Sequence, residues 1–114
     1  MKDTLFLMQP GFFNAQLGPL YCGDSAAVEG MLSFFPELRE IIDVRYVAFP
    51  RPRMPLVDIL SEDHQSIPVL VLAPDRQVKD GGVMPDKARG HRFLDNEKVI
   101  RRYLSSQYGF PRAG

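Results

Sequence analysis

Two short segments constrain the fold of this chain more than any other feature. The first is Cys22-Gly23-Asp24-Ser25, which holds the only cysteine and stands where a first strand should give way to a first helix. The second is Ile67-Pro68-Val69-Leu70-Val71-Leu72, an apolar strand that opens on a proline about 45 residues later. Together they predict a thiol at a helix N-terminus that faces a proline-initiated strand.

Hydrophobic patterning around these segments predicts the element order β-α-β-α-β-β-α, with strands at residues 4–8, 43–49, 67–72 and 91–94. A right-handed crossover makes the first two strands parallel. The connection before the last strand permits an antiparallel pair. We therefore expect an α/β fold with a four-stranded mixed sheet, in the spatial order two-one-three-four, and helices on both faces.

Capping residues predict where the helices begin and end. The first helix is expected to be capped by Asp24 or Ser25 and the last one by Asp95, since these side chains accept hydrogen bonds from free backbone N–H groups. Gly109 is expected to end the last helix. A shorter helix is predicted over residues 55–61.

Two long connections lack a regular pattern. Residues 9–22 are interpreted as a loop that packs onto the protein, because they carry several large apolar side chains. Residues 75–90 are polar and rich in glycine, and are interpreted as the most mobile loop.

Composition restricts the class of protein. The 114 residues suffice for one domain, which we expect to span residues 1–114. The formal net charge is zero, so no general attraction to nucleic acid or to an anionic membrane is expected. No apolar run reaches the ~20 residues of a membrane span, and no signal peptide is recognised. A single cysteine excludes an internal disulfide framework and a Cys/His metal site, and it suits a reducing cytoplasm.

The element order and these motifs resemble the thioredoxin/glutaredoxin superfamily over nearly the whole chain. A closer resemblance is to a small bacterial thioredoxin-like family catalogued only as a domain of unknown function. It is carried by Tyr21-Cys22, by Phe49-Pro50-Arg51-Pro52-Arg53 and by His64-Gln65-Ser66 before the proline strand. Many members of that family carry a second cysteine three residues after the first, where this chain has Ser25. The resemblance therefore implies a fold but no established reaction.

Cys22 and Ser25 are the candidate catalytic residues. A thiolate at a helix N-terminus is stabilised by the helix dipole and by free N–H groups, and Gly23 would let a substrate backbone approach. Ser25 cannot resolve a mixed disulfide, so the Cys-x-x-Ser arrangement resembles a monothiol glutaredoxin that depends on glutathione or a partner thiol. Asp24 opposes thiolate formation, and a purely structural cysteine stays open as an alternative. Val28 stands where an arginine would be needed in a phosphatase loop.

The resemblance also implies a ligand site around the proline strand. Its Ile67-Pro68 peptide should be cis, with the Ile67 backbone free to pair with glutathione or an extended peptide. Asp95 and Asn96 would hold the γ-glutamyl end of glutathione, although capping alone also explains Asp95. The full set of candidate ligand-binding residues is Tyr21, Gly23, Arg51, Arg53, Ile67, Pro68, Asp95 and Asn96.

Arg51 and Arg53 are candidates because guanidinium groups bind carboxylates and phosphates, while a solvated, rigid turn is the plainer interpretation. His64 and His91 lie far apart in sequence and are not expected to bind a metal.

Two functions stay open at this point. One is a monothiol redox or glutathione-binding protein, whose partner is glutathione or a thiol-bearing protein. The other is a non-enzymatic binding or interaction module that has kept the fold. A third interpretation, the N-terminal half of a glutathione transferase, is less favoured because no all-helical second domain follows.

Overall fold

A five-stranded mixed sheet forms the centre of the computed structural model, which describes Met1–Gly114. The elements along the chain are β1 (Thr4–Met8), β2 (Phe12–Asn14), β3 (Leu17–Leu20), α1 (Gly23–Phe34), α2 (Leu38–Ile41), β4 (Asp43–Val47), α3 (Met54–Leu60), β5 (Val69–Val71), β6 (Asp86–Ala88), β7 (His91–Leu94) and α4 (Glu97–Tyr108).

The strand order in the sheet is β4-β1-β5-β7-β6. Strands β1 and β4 are parallel, whereas β1 pairs with β5, β5 with β7, and β7 with β6 in antiparallel fashion. The four predicted strands thus lie in the expected order two-one-three-four. Helices α1, α2 and α4 pack on one face of the sheet and α3 packs on the other, so the prediction of helices on both faces is confirmed.

The predicted strand count was wrong, because the sheet has a fifth strand. The polar segment Asp86–Ala88 folds back on β7 through a two-residue turn at Arg89 and Gly90, both of which have positive φ angles, of 50° and 78°. Two successive positive φ angles match the twist of a hairpin. The expected mobile loop at 75–90 therefore ends in a strand, and it also buries Val83 in the main core.

The expectation for residues 9–22 was wrong as well. Strands β2 and β3 form a separate two-stranded hairpin, whose turn residues Ala15 and Gln16 have positive φ angles of 50° and 71°. The hairpin leaves much of its apolar surface in solvent: Phe13, Leu17 and the following residue Tyr21 are exposed, whereas Phe12 and Leu20 are half-buried. Two strands offer no second layer to pack against, so a hairpin of this kind leaves one face in solvent.

One ring attaches the hairpin to the rest of the protein. Phe12 stacks in parallel on Phe49, which follows β4, with the ring centroids 4.4 Å apart. The hairpin is therefore held beside the carboxyl ends of β1 and β4, directly before the first helix.

Helix α4 has Asn96 rather than Asp95 at its N-cap. The Asn96 Oδ1 atom accepts hydrogen bonds from the N–H groups of Lys98 and Val99, at 3.0 and 3.2 Å. Gly109 ends the helix in the left-handed conformation, as predicted. None of the four helices combines the length and the apolarity needed to cross a membrane.

A polar network at the opposite end of β1 was not expected from the sequence. Asp3 is fully buried, and its carboxylate accepts hydrogen bonds from the Ala73 N–H (2.8 Å), Arg76 (3.2 Å), Tyr103 (2.6 Å) and Tyr108 (2.5 Å). Burial alone would raise the pKa of Asp3, but these hydrogen bonds bring it below its ordinary value. Burial and Asp3 together raise the pKa of Tyr108 to about 12.

Candidate functional site

Cys22 occupies the N-cap of α1. Its backbone is extended, with φ −83° and ψ 116°, and its Sγ atom accepts a hydrogen bond from the Ser25 N–H at 3.4 Å. The prediction that Asp24 or Ser25 caps this helix was therefore wrong. Asp24 lies inside the first turn and is exposed, so its carboxylate is not placed to accept the free N–H groups of that turn. The half-buried sulfur replaces the oxygen that usually caps a helix.

The same sulfur contacts the segment that begins the proline strand. Cys22 Sγ lies 4.0 Å from the Ile67 carbonyl oxygen, and the predicted cis peptide between Ile67 and Pro68 is present. Strand β5 begins only at Val69, so Ile67 lies just outside the ladder and its N–H forms no hydrogen bond within the chain. One backbone donor is therefore free beside the thiol.

Ser25 has a structural role in the first turn of α1. Its side chain is only 5% exposed, and its Oγ atom accepts a hydrogen bond from the Met8 N–H at 3.0 Å. This bond joins the first turn of α1 to the end of β1 and so fixes the position of the Cys22 backbone.

The two arginines after β4, which the sequence could not distinguish, have different surroundings. Arg51 is exposed, whereas Arg53 is only 7% exposed. The Arg53 guanidinium donates to the carbonyl oxygens of Phe49 (2.9 Å) and Gln65 (2.7 Å), and it lies over the Phe49 ring at 5.4 Å. It forms no ion pair with any carboxylate.

Arg53 is thus a buried cation whose charge is not neutralised by the chain. Burial lowers its pKa, the neighbouring Arg51 lowers it further, and the Cys22 sulfur acts in the opposite direction. The last effect means that Arg53 and Cys22 interact electrostatically. Gln65, a residue that sequence reasoning had not assigned to the site, holds this arginine in place: its Oε1 atom accepts the Arg53 backbone N–H at 2.7 Å.

A cleft of about 250 Å³ opens beside Cys22. Leu7, Met8 and Ala26 contribute apolar surface, and Tyr21, which is 71% exposed, stands at its rim. Cys22 and Ser25 both line it, whereas Ile67, Pro68 and Arg53 do not. The sulfur therefore borders two different surfaces, the Ile67 backbone and this cleft.

The remaining predicted ligand residues lie elsewhere. The Asn96 side chain is used as a helix cap, and Asp95 lines a cavity of only about 50 Å³ with His64 and Ser66. Neither residue shares a cavity with Cys22. Gly23 is the first residue of α1 and is exposed, and a Cβ atom added there would meet nothing within 4 Å. No group of three or more potential metal ligands lies together.

Comparison with protein families gives a match over nearly the whole chain. A family model described as "Protein of unknown function (DUF3088)" matches residues 2–112. No curated protein and no solved structure matches the chain.

Proposed function

Since this chain belongs to the DUF3088 family of proteins of unknown function, we propose from its geometry that it is a thioredoxin-like protein with one exchanging thiol. In this proposal Cys22 forms a mixed disulfide with glutathione or with the thiol of a partner protein. The thioredoxin-like assignment is supported by the strand order β4-β1-β5-β7 and by a cysteine at the start of α1 beside a cis-proline segment. Strand β6 is then an addition at the edge of that sheet.

The observation that carries the proposal is the 4.0 Å approach of Cys22 Sγ to the Ile67 carbonyl oxygen. An extended ligand that pairs with the free Ile67 N–H would bring its own sulfur within reach of Cys22. Binding through backbone groups needs no particular side chain on the ligand. This suits a peptide thiol such as glutathione, or a cysteine in an extended protein segment.

A hydrogen-bond donor and a cation lie near the sulfur. The Ser25 N–H in the first turn of α1 donates to Cys22 Sγ at 3.4 Å, and Arg53, which forms no ion pair, interacts with the sulfur electrostatically. Asp24 is exposed, so its carboxylate is screened by solvent.

The proposed step is thiol–disulfide exchange. The Cys22 thiolate attacks one sulfur of a disulfide, a new S–S bond forms, and the other sulfur leaves as a thiolate that takes up a proton from water. The chain has no second cysteine, so the mixed disulfide persists until a thiol from solution attacks it. Ser25 positions the attacking residue through Met8 and takes no part in the exchange.

The test uses oxidised glutathione and the native protein. Mass spectrometry should detect one glutathione per chain, and Cys22→Ser should abolish it. In the adduct, the amide resonance of Ile67 should shift and its hydrogen exchange should slow, because that N–H gains an acceptor. An adduct that leaves Ile67 unchanged would refute the backbone pairing, and the absence of any adduct would refute the exchange itself.

The second candidate is an interaction module without redox chemistry. It is favoured by the exposed Phe13, Leu17 and Tyr21 on and beside the β2–β3 hairpin, which resemble a protein contact surface. In that case the Cys22 S–H only donates to the Ile67 carbonyl and closes the first turn. A native protein that resists glutathionylation but reacts after unfolding would favour this candidate.

A further inference from the structure

Four cationic side chains line one open cavity beside α4. This cationic cavity measures about 370 Å³, and no acidic side chain lines it. Its charged residues are Lys98, Arg101 and Arg102 of α4 and Arg112 of the segment that follows the helix. The chain as a whole has equal numbers of acidic and basic residues, so the cavity is a local concentration of positive charge and not the result of a basic composition.

Two of the four cations pair with acidic side chains outside the lining. Arg101 donates to Glu97 at 2.7 Å through its Nε atom, and Arg102 donates to Asp80 at 2.7 and 2.9 Å. These ion pairs hold the two guanidinium groups in place. Each guanidinium still has N–H groups without an acceptor in the chain, so each can also donate to a ligand.

The other two cations, Lys98 and Arg112, form no ion pair. Lys98 lies three and four positions before Arg101 and Arg102, so the three side chains share one face of α4, where like charges destabilise a helix. Two positive charges thus remain in the cavity without an acidic side-chain partner. A bound anion with two negative charges would neutralise them.

The segment that carries Arg112 is fixed against the helices. The Phe110 ring packs on Phe35, at the end of α1, with the ring centroids 5.3 Å apart. The Ser105 hydroxyl donates to the Pro111 carbonyl oxygen at 2.9 Å. Arg112 follows Pro111 directly, so its backbone is held close to α4 before any ligand binds. Such preorganisation lowers the entropic cost of binding.

An apolar cavity of about 250 Å³ adjoins the cationic one and shares Arg101 and Arg112 with it. Gly30, Met31 and Phe34 of α1 contribute to its surface, and the Phe34 side chain is 81% exposed. An anion held by the shared arginines can therefore place an attached apolar group against α1.

The charge and the lining together specify a ligand class. A phosphate monoester carries a charge of about −1.5 to −2 at pH 7 and offers three acceptor oxygens. It therefore matches the two unpaired cations, and guanidinium groups suit its geometry. A carboxylate or a phosphate diester carries only one negative charge.

We propose that these adjoining cavities bind a phosphate monoester with a compact apolar substituent, such as one ring or a short chain. The phosphate group lies in the cationic cavity and the substituent lies against Phe34 in the apolar cavity. Neither cavity shares a residue with the cleft beside Cys22, so this binding site is independent of the exchange function.

The test is an NMR titration of the native protein with phenyl phosphate, methyl phosphate and benzyl alcohol. Phenyl phosphate should shift the amide signals of Lys98, Arg112 and Gly30 to saturation. It should bind about tenfold more tightly than methyl phosphate, as burial of one ring predicts. Benzyl alcohol, which has the ring without the charge, should not saturate these shifts. Equal affinities for the two phosphates, or saturation by benzyl alcohol, would overturn the proposal.

A matched pair of double variants tests the role of the charges. Lys98→Gln/Arg112→Gln removes the two unpaired cations and should weaken phenyl phosphate binding by about tenfold. Lys87→Gln/Arg45→Gln removes the same two charges from exposed positions outside both cavities and should keep the native affinity. An equal loss in both double variants would show that only the total charge matters, and would overturn the site.

A second pair tests the apolar cavity. A Cβ atom added at Gly30 meets nothing within 4 Å, so Gly30→Leu can fill this cavity without a clash at that atom. Ser33→Leu adds the same side chain at an exposed position of α1 outside the lining. The preference for phenyl over methyl phosphate should disappear in Gly30→Leu and persist in Ser33→Leu. A preference that survives in Gly30→Leu would contradict the placement of the ring.

Vesicles that contain phosphatidic acid, a lipid phosphate monoester, distinguish a free ligand from a membrane. The native protein should bind soluble phenyl phosphate and should not sediment with these vesicles at physiological salt. Sedimentation with the vesicles in the absence of phenyl phosphate binding would overturn the proposal, because the cations would then recognise a membrane surface.

Discussion

The Sγ atom of Cys22 lies 4.0 Å from the carbonyl oxygen of Ile67, a residue 45 positions away in the chain. Cys22 is fixed by its place at the N-cap of α1, and Ile67 by the start of the strand that pairs with β1. The contact therefore joins the first helix to the centre of the sheet. It places a thiol, a helix N-terminus and a free backbone N–H together.

Replacing Ser25 by cysteine should create a dithiol. Positions 22 and 25 are neighbours in the first helical turn, and Cys22 Sγ already lies 3.4 Å from the residue 25 N–H. Oxidised Ser25→Cys should show no free thiol by mass spectrometry after alkylation, and it should reduce insulin faster than the native protein. Ser33→Cys, exposed on the same helix, is the matched control and should keep both thiols free.

The same substitution has a structural cost. The Met8 N–H loses a good oxygen acceptor, so reduced Ser25→Cys should be less stable by about 1 kcal/mol in urea unfolding. Two free thiols in the oxidised variant would show that the side chain of residue 25 points away from Cys22.

Replacing Arg53 by methionine should slow the reaction of Cys22. The variant removes the unneutralised cation that interacts with the sulfur, so the rate with neutral iodoacetamide at pH 7 should fall by roughly threefold, or about 0.6 kcal/mol. The carbonyl oxygens of Phe49 and Gln65 also lose their donor, so the variant should be about 2 kcal/mol less stable. Arg51→Met, at an exposed position, should retain native stability. An unchanged alkylation rate in folded Arg53→Met would rule out the electrostatic role.

Asp3 should make the stability of the protein depend on pH in the acid range. Its folded pKa lies below the ordinary value of 3.8, so the carboxylate stabilises the fold above that value, and this contribution is lost as the pH falls through the lower folded pKa. Asp3→Asn should cost about 2 kcal/mol at pH 7 and flatten the decline in stability below pH ~4.

The control for that prediction is Asp43→Asn, since Asp43 is exposed and its side chain has no partner. Its stability should stay within about 0.5 kcal/mol of the native protein. Urea unfolding at several pH values measures both variants. A difference between native protein and Asp3→Asn that stays constant with pH would contradict a charged Asp3.

Replacing Phe12 by alanine should loosen the β2–β3 hairpin. The stacked Phe12–Phe49 pair attaches the hairpin, and such pairs contribute about 0.5–1.5 kcal/mol beyond burial. Amide hydrogen exchange in residues 12–20 should accelerate in Phe12→Ala. Phe13→Ala is the control, because the Phe13 ring is exposed. It should leave the amide hydrogen exchange of residues 12–20 nearly unchanged. Equal acceleration in both variants would mean that the stack does not hold the hairpin.

The central strands were predictable because their residues are apolar in runs. Side chains on both faces of the central strands are buried, as in Leu5 and Phe6 of β1 and in Val69 and Leu70 of β5. Such apolar runs identify central strands without tertiary information. Strand β6 was missed because Asp86 and Lys87 are polar and exposed at the edge, where only the turn before β7 specifies the pairing. The first helix cap was missed because cysteine is not a usual capping residue.

The site was only partly predictable. The proximity of Cys22 to Ile67 could be predicted, because the two motifs that contain these residues resemble those of the thioredoxin/glutaredoxin superfamily. The burial of Arg53 by Gln65 did not, because that contact depends on how the segments after β4 and before β5 fold against each other. The contacts of Asp3 with Tyr103 and Tyr108 span 100 and 105 residues, and no local pattern in the sequence identifies such partners.

The most direct test of the exchange function compares the reaction of Cys22 with oxidised glutathione in the native and in the urea-unfolded protein. The chain has one cysteine, so the adduct formed per unit time reports on that thiol alone. If the fold activates Cys22, the native rate at pH 7 should exceed the unfolded rate by about tenfold, a difference of about 1.4 kcal/mol. A native rate below the unfolded rate would show that the fold only protects a structural cysteine, and would contradict the proposed function.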